Sequence, residues 1–385
     1  MKFLFAPDSF KGTISSAHAI EMLQTAARNH FPDAQTLGVP MGDGGEGTIE
    51  ALTDVLHGKY RYLTVHDPFG REITAKYAIL TQDIAIIEMA EASGLPLLKD
   101  EERNPLLASS VGTGEMIVDA LDQGAREIYL MIGGSATNDG GMGMASALGF
   151  RFLNHRGEPV EAKGAAMEEV AEIDLTRLHP KLPDARITVM CDVNNPLLGP
   201  EGATYVYGAQ KGATPEMQAQ LERGMANLID VIEKKTGMEI RNKPGAGAAG
   251  GLSITLMAFA GAVLRSGIET VLDILSFDKL LEGVDLVVTG EGRLDYQSAH
   301  GKVLDGIGNA CKKRGIPACA IVGCFGEGAE QIYHCGIDVA ISCTTGKIAD
   351  EDLVKNADAR FQAAAETLFR SLKIGIGIAK NNQEV

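Results

Sequence analysis

Three short segments of this chain collect glycines, carboxylates and hydroxyls at spacings that could hold a phosphate through a cation. They are Gly42-Asp43-Gly44-Gly45-Glu46-Gly47, Gly133-Gly134-Ser135-Ala136-Thr137-Asn138-Asp139-Gly140-Gly141 and Thr289-Gly290-Glu291-Gly292-Arg293-Leu294-Asp295, each placed after an apolar, strand-like run. Glycine lets the backbone approach a ligand closely and turn with positive φ. A helix starting just beyond such a turn offers free N–H groups to an anion. The carboxylates in all three segments would repel that anion unless a cation lay between them, so the combination points to phosphate held through Mg²⁺. The chemistry this suggests is phosphoryl transfer.

Each segment has competing readings. Gly42-x-Gly44-x-x-Gly47 matches the dinucleotide fingerprint, with Asp67 twenty residues beyond Gly47. Asp43 and Glu46 between the glycines oppose a metal-free pyrophosphate, which leaves a substrate or Mg-phosphate site, or a plain turn with an acidic helix start. In the second segment, Gly133, Gly134, Ser135, Thr137 and Asn138 are candidate nucleotide-phosphate ligands. Asp139 is a candidate metal ligand, or else a helix cap. In the third, Glu291 is a second candidate metal ligand and Arg293 suits a bidentate grip on an anion.

Asp8, Ser9 and Lys11 follow the first strand, and Asp192 and Asn194 follow a later one; open α/β sheets bind ligands at such strand ends. Asp8, Lys11, Asp192 and Asp295 are therefore the candidate catalytic residues, and Ser9, Asp43, Glu46 and Arg293 the candidate substrate ligands. No P-loop, protein-kinase signature, Gly-x-Ser-x-Gly elbow or His-Glu-x-x-His zinc motif is present. The histidines avoid the glycine segments, apart from His300 just past the third, so a histidine-centred triad has little support.

The elements that must position these residues alternate at both chain ends. Phe3 to Ala6 reads as a strand, Ser15 or Ser16 as the cap of a helix with Ala19, Ile20, Leu23 and Ala27 on one face, and Thr36 to Val39 as a second strand. A helix with Ile49, Leu52, Val55 and Leu56 on one face follows. Near the other end, Leu286 to Val288, Ala318 to Val322 and Val339 to Ser342 read as strands. Between and after them come helices over Val303 to Lys313, Glu330 to His334 and Glu351 to Leu372.

The middle differs. Tyr60 to Val65, Thr74 to Leu80 and Ile84 to Met89 are consecutive strands with short turns, and Met217 to Lys234 and Leu252 to Leu264 are helices. The expected fold is α/β. A parallel-sheet Rossmann- or flavodoxin-like domain is built from both chain ends, residues 1–60 and 282–385, around an inserted mixed α/β domain, residues 61–281. The expected cleft lies between the two.

Composition narrows the partners. The 385 residues carry a net charge of -16, with 35 basic and 51 acidic side chains, which disfavours nucleic acid and membrane surfaces. Tryptophan is absent and aromatics are 5%, against a base-stacking platform. None of the six cysteines forms a C-x-x-C pair, so a zinc site is not expected, and buried thiols in a reducing compartment are. The N-terminal apolar stretch is too short for a signal peptide, and the stretch near Leu256 to Leu264 too short to span a bilayer. The expectation is a soluble cytoplasmic monomer or homodimer.

Taken together, the motifs resemble the type 1 glycerate kinases. The resemblance rests on Ala6-Pro7-Asp8-Ser9-Phe10-Lys11-Gly12, Pro40-Met41-Gly42-Asp43-Gly44-Gly45-Glu46-Gly47-Thr48, Ile132 to Gly141, Cys191-Asp192-Val193, Gly245 to Leu252 and Thr289 to Asp295. It covers most of the chain. It implies a two-domain enzyme that phosphorylates D-glycerate with ATP and Mg²⁺, giving mainly 2-phosphoglycerate, with 3-phosphoglycerate as the alternative product. The rival classes are a NAD-dependent hydroxy-acid dehydrogenase using Gly42, Gly44 and Gly47, and a non-catalytic sugar-acid or nucleotide sensor.

Overall fold

The computed structural model describes residues 1–45, 47–344, 346 and 354–382. Among these, the strands in chain order are β1 (Lys2–Phe5), β2 (Gln35–Gly38), β3 (Lys59–His66), β4 (Glu72–Thr81), β5 (Ile84–Glu88), β6 (Glu127–Met131), β7 (Arg151–Leu153), β8 (Glu172–Asp174), β9 (Arg186–Met190), β10 (Val263–Arg265), β11 (Leu286–Leu294), β12 (Ala318–Phe325) and β13 (Val339–Ser342). Helices of eight residues or more are α1 (Ser16–His30), α2 (Thr48–Val55), α3 (Val111–Asp122), α4 (Pro215–Thr236), α5 (Gly267–Ile274), α6 (Val303–Arg314) and α7 (Ala357–Asn381).

The chain divides into two compact units, Met1–Val55 with Gly267–Val385, and Leu56–Ser266. The boundaries fall at 55/56 and 266/267 rather than at 60/61 and 281/282, because α5 belongs to the first unit.

In the first unit, five parallel strands lie in the order β13-β12-β11-β1-β2. Phe3, Leu4 and Phe5 are fully buried, as a central strand flanked on both sides requires. Ser15 caps α1, its Oγ accepting from the His18 N–H at 3.2 Å. Ala19, Ile20, Leu23, Ala26 and Ala27 then recur on the face that helix buries. Those residues meet Phe361, Ala364, Ala365, Leu368 and Phe369 of α7 and the rings of Phe3 and Phe5 in one cluster. Each phenylalanine so buried stabilises by roughly 1.5–3 kcal/mol.

The chain leaves β1 towards β2 on one side, and returns from the far end of the sequence to β11 on the other. The strand order therefore reverses between β1 and β11, the switch point where open α/β sheets leave a crevice for ligands.

The second unit holds a six-stranded sheet, β10-β9-β6-β5-β4-β3, antiparallel through β3, β4 and β5 and parallel beyond, and the separate β7-β8 pair. The expected helix from Leu252 to Leu264 is shorter. Ile254–Phe259 is helical, and Val263–Arg265 becomes edge strand β10, paired with β9. The expected last helix runs over Ala357–Asn381 instead of ending at Leu372, and its first expected residues, 351–353, lie outside the described residues.

The largest correction concerns Thr289 to Leu294. The segment is not a turn but the second half of a nine-residue strand, in register with β12 from Val287↔Ala318 to Leu294↔Phe325. Its glycines mark close backbone approach rather than a reversal. A Cβ on Gly290 would sit 2.2 Å from the Ile321 carbonyl oxygen.

Candidate active site

Asp8 is delivered by the central strand. Beyond β1 the ladder continues, with the Asp8 N–H donating to the Gly290 carbonyl at 2.8 Å and the Met41 N–H to that of Pro7 at 3.1 Å. The carboxylate accepts from the Ser9 N–H at 2.6 Å. Burial, then the neighbouring Asp43 charge, pushes its pKa up to about 7, against the opposing pull of Ser9 and Lys11. Lys11 is exposed on the tight loop that follows, closed by the Phe10 N–H donating to Ile14 at 2.8 Å.

Glu291 stands next door on β11 and is 6% exposed. Burial pushes its pKa up to about 7 as well, with the Asp8 and Asp295 charges adding and the Ser298 hydroxyl and Lys302 opposing. Its Oε1 is buried without a hydrogen-bond partner. Two carboxyls are raised to the same range, each mainly by burial, with Asp43 adding at Asp8 and Asp8 and Asp295 adding at Glu291, so the cavity resists accumulating negative charge at neutral pH.

Both carboxylates open into a cavity of about 680 Å³, walled by Asp8, Asp43, Glu291 and Asp295 and by the cations Lys11, Arg293, Lys302 and Arg360. Ser9, Thr13 and Thr344 add hydroxyls. All of these residues belong to the first unit. Arg293 is 67% exposed and pairs with Asp295 at 3.4 Å. Asp295 also caps the turn after β11, accepting from the Gln297 N–H at 2.9 Å, so it is more committed than Asp8 or Glu291. The Asp43 carboxylate accepts from the Gly45 N–H at 3.0 Å, and Thr48 Oγ1 from that of Gly44 at 3.0 Å. Glu46 lies outside the described residues.

Among the described residues, no group of three or more His, Cys, Asp or Glu side chains is set to hold a metal unaided. A Mg²⁺ ion is ordinarily held by one or two carboxylates plus phosphate oxygens and water. The partnerless Oε1 of Glu291 is a hard oxygen ligand of that kind.

The Gly133 to Gly141 segment is in the second unit, after β6, and is built differently. Gly133 and Gly134 are exposed, but Thr137, Asn138 and Asp139 are fully buried. Asp139 was expected to bind metal, yet its two oxygens are engaged by four donors: the Ser110 N–H and hydroxyl, both at 2.8 Å, and the Gly141 and Gly143 N–H groups at 3.1 and 3.2 Å. Three of these donors reach Oδ2 and one Oδ1, and together they clamp the helix start.

Lys211, which no sequence signal marks, is 2% exposed. It donates from Nζ to Ser135 Oγ at 2.7 Å and to the Thr137 carbonyl at 2.6 Å. Burial pushes its pKa down to about 7, with the Asp139 charge opposing. The glycine tract near 250 packs on the same turn, the Gly140 N–H donating to the Gly250 carbonyl at 3.0 Å.

Asp192 is exposed beyond β9, in the second unit. Asp8, Ser9, Lys11, Asp43, Glu291, Arg293 and Asp295 thus share one cavity, whereas Asp192 and the Gly133 segment belong to the other unit. Sequence reasoning missed Lys302, Arg360 and Lys211.

Comparison with known proteins follows this geometry. A family model described as the glycerate kinase family matches residues 3–373. A glycerate kinase of Halalkalibacterium halodurans is 42% identical over 366 residues, covering 95% of this chain and 96% of the relative. A glycerate 2-kinase of Escherichia coli K12 is 40% identical, covering 98% and 99%. A crystal structure from Salmonella typhimurium LT2, provisionally assigned as a glycerate kinase 2, superimposes with a TM-score of 0.89 at 40% identity over 98% of this chain and 99% of that one.

Proposed function

The chain belongs to the glycerate kinase family, and on that premise we propose that it transfers the γ-phosphoryl group of ATP to D-glycerate, giving 2-phosphoglycerate. The observation that carries the reading is the pair of raised carboxyls, Asp8 and Glu291, at the switch point of a cavity walled by four cations. The 2-product is favoured because a relative at 40% identity is a glycerate 2-kinase.

Asp8 takes the proton from the attacking hydroxyl. A carboxyl raised to about 7 is a stronger base than an ordinary aspartate and is still ionised in half the molecules at that pH. Glu291 would hold Mg²⁺, and Ser9 and Asp43 orient the substrate hydroxyls. When bound, Mg²⁺ neutralises charge on the phosphates. Lys11, Arg293 and Lys302 face the transferring group. The exposed backbone of Gly133 and Gly134, with Ser135, holds the nucleotide phosphates. Thr137 and Asn138, being buried, shape that turn from behind.

In its ammonium form Lys211 donates to Ser135 Oγ, which leaves the hydroxyl proton of Ser135 for another partner. The kinase reading also makes the protein a cytoplasmic enzyme acting on a small acid; no described helix is long and apolar enough to cross a membrane.

The test is turnover. ADP release that depends on both D-glycerate and Mg²⁺, with a phosphorus NMR spectrum showing the ester at the 2-hydroxyl, is the expected result. Reduction of NAD by the acid, or ligand binding with no turnover, would overturn the reading, and a 3-ester would overturn its regiochemistry.

A further inference from the structure

Four cations wall the acid cavity, and three of them are accounted for. Lys11 is exposed on its loop. Arg293 is largely in solvent and paired with Asp295. Lys302 Nζ donates to Gln297 Oε1 at 3.3 Å and faces the Glu291 charge. Arg360 differs: its Nη1 is buried, with no hydrogen-bond partner among the described residues. An arginine cannot shed its proton to escape that situation. A buried charged donor left unpaired is costly, and an anion arriving from the cavity would relieve that cost.

The helix turn that carries Arg360 is anchored. The side chain rises from the first turn of α7, and the next residue, Phe361, stacks edge-on against Phe10 with ring centroids 5.2 Å apart. Phe10 lies in the same loop as Asp8 and Lys11. One turn of chain before Phe361, Asp358 bonds His18 Nε2 of α1 at 2.9 Å. Arg360 and the base therefore share one rigid frame. Across the same cavity, Oε1 of Glu291 is also buried and unpaired, so an orphan donor and an orphan acceptor line one space without satisfying each other.

We infer that Arg360 binds the carboxylate of the acid substrate, and is the residue by which this cavity separates a hydroxy acid from its uncharged analogues. The inference rests on the kinase reading above. A planar carboxylate offers two oxygens to the guanidinium fork. It is also the one charge on the substrate that stays put while the phosphoryl group moves, and a fixed, desolvated donor suits a fixed charge. The more exposed Arg293 and Lys11 suit the group that is transferred. Phe10, Ile14 and Ala357 line the cavity as well, and their apolar surface lowers the local dielectric and strengthens the pairing.

The experiment compares D-glycerate with its uncharged amide, glyceramide, in the full-length enzyme and in Arg360→Gln and Arg360→Lys. Arg360→Gln is expected to raise KM for D-glycerate by about 10- to 100-fold, the span of a lost charged hydrogen bond. KM for ATP should stay within about twofold, and the acid-over-amide preference in kcat/KM should fall by the same factor as KM rises. Arg360→Lys keeps the charge but loses the fork, and should fall between the two; it carries the test alone should the glutamine variant not fold. A rise in KM for ATP with glycerate unaffected would overturn the inference and reassign Arg360 to a nucleotide phosphate. Unchanged constants in both variants would overturn it outright. Loss of glycerate turnover in the unaltered enzyme would instead remove the kinase reading on which it stands.

Discussion

Two carboxylates in this molecule, Asp139 after the parallel strand β6 and Glu291 within the parallel strand β11, sit among glycines and are almost wholly buried. They differ in how many partners they have. Asp139 receives four hydrogen bonds from neighbouring N–H and O–H groups, whereas Glu291 keeps an oxygen with none. A buried carboxylate satisfied on all sides holds the fold together; one left short holds something that arrives later. By that measure Glu291 is the carboxylate left open to the acid cavity, and Asp139 belongs to the framework of the Gly133 turn.

The sharpest way to break this comparison is at Asp8. Asp8→Asn should lower kcat by at least about 100-fold, read as ADP release. The same change should raise stability above neutral pH. The Asp8 carboxyl is raised in the folded protein from 3.8 to about 7, so the folded state binds more protons than the unfolded one between those values. Stability contributed by this group is therefore present at low pH and lost as pH rises through about 7. Thermal melts at pH 8 should show the variant melting no lower than the parent, and kcat/KM of the parent should climb with pH through the same range. A variant that melts much lower would make Asp8 structural.

The opposite pattern is expected at Asp139. Asparagine there turns an NH₂ group towards donors, and the loss should be about 3 kcal/mol, or roughly 6–12 °C in melting temperature for a unit of this size. Calorimetry of Asp139→Asn checks this; a melting point within 2 °C of the parent, with metal-dependent activity lost, would restore Asp139 as a metal ligand.

The smallest effect is expected at Asp192. It is exposed and lies outside the acid cavity, so Asp192→Asn should change kcat/KM by less than about tenfold. A loss as large as that at Asp8 would show that the second unit supplies a catalytic carboxylate.

The strand–helix alternation of the first unit was legible because it is written in local periodicity, as in Ala19, Ile20, Leu23 and Ala27. The role of Thr289 to Leu294 was not. Two glycines and two charges suggest a turn, and only a full-length parallel partner, β12, keeps them extended. Asp8, Lys11, Asp43, Glu291, Arg293 and Asp295 were visible because each sits in a motif. Arg360 and Lys211 stand in ordinary sequence surroundings. Their significance comes from Phe10 and from Ser135, the latter 76 positions away, and no local pattern encodes such distances.

The threading of the first unit bears on the order of assembly. Thr289 Oγ1 bonds the Ala6 carbonyl across 283 positions, and β1 pairs with β11 along its length. The second unit is one continuous stretch, Leu56–Ser266, and emerges from the ribosome whole. β1 and β2 emerge before it, yet one side of β1 has no neighbour until more than two hundred further residues have been made. The acid cavity is therefore completed only after the second unit has been made, and during synthesis an apolar strand waits with an open edge, the condition under which nascent chains misassociate and holding chaperones are engaged.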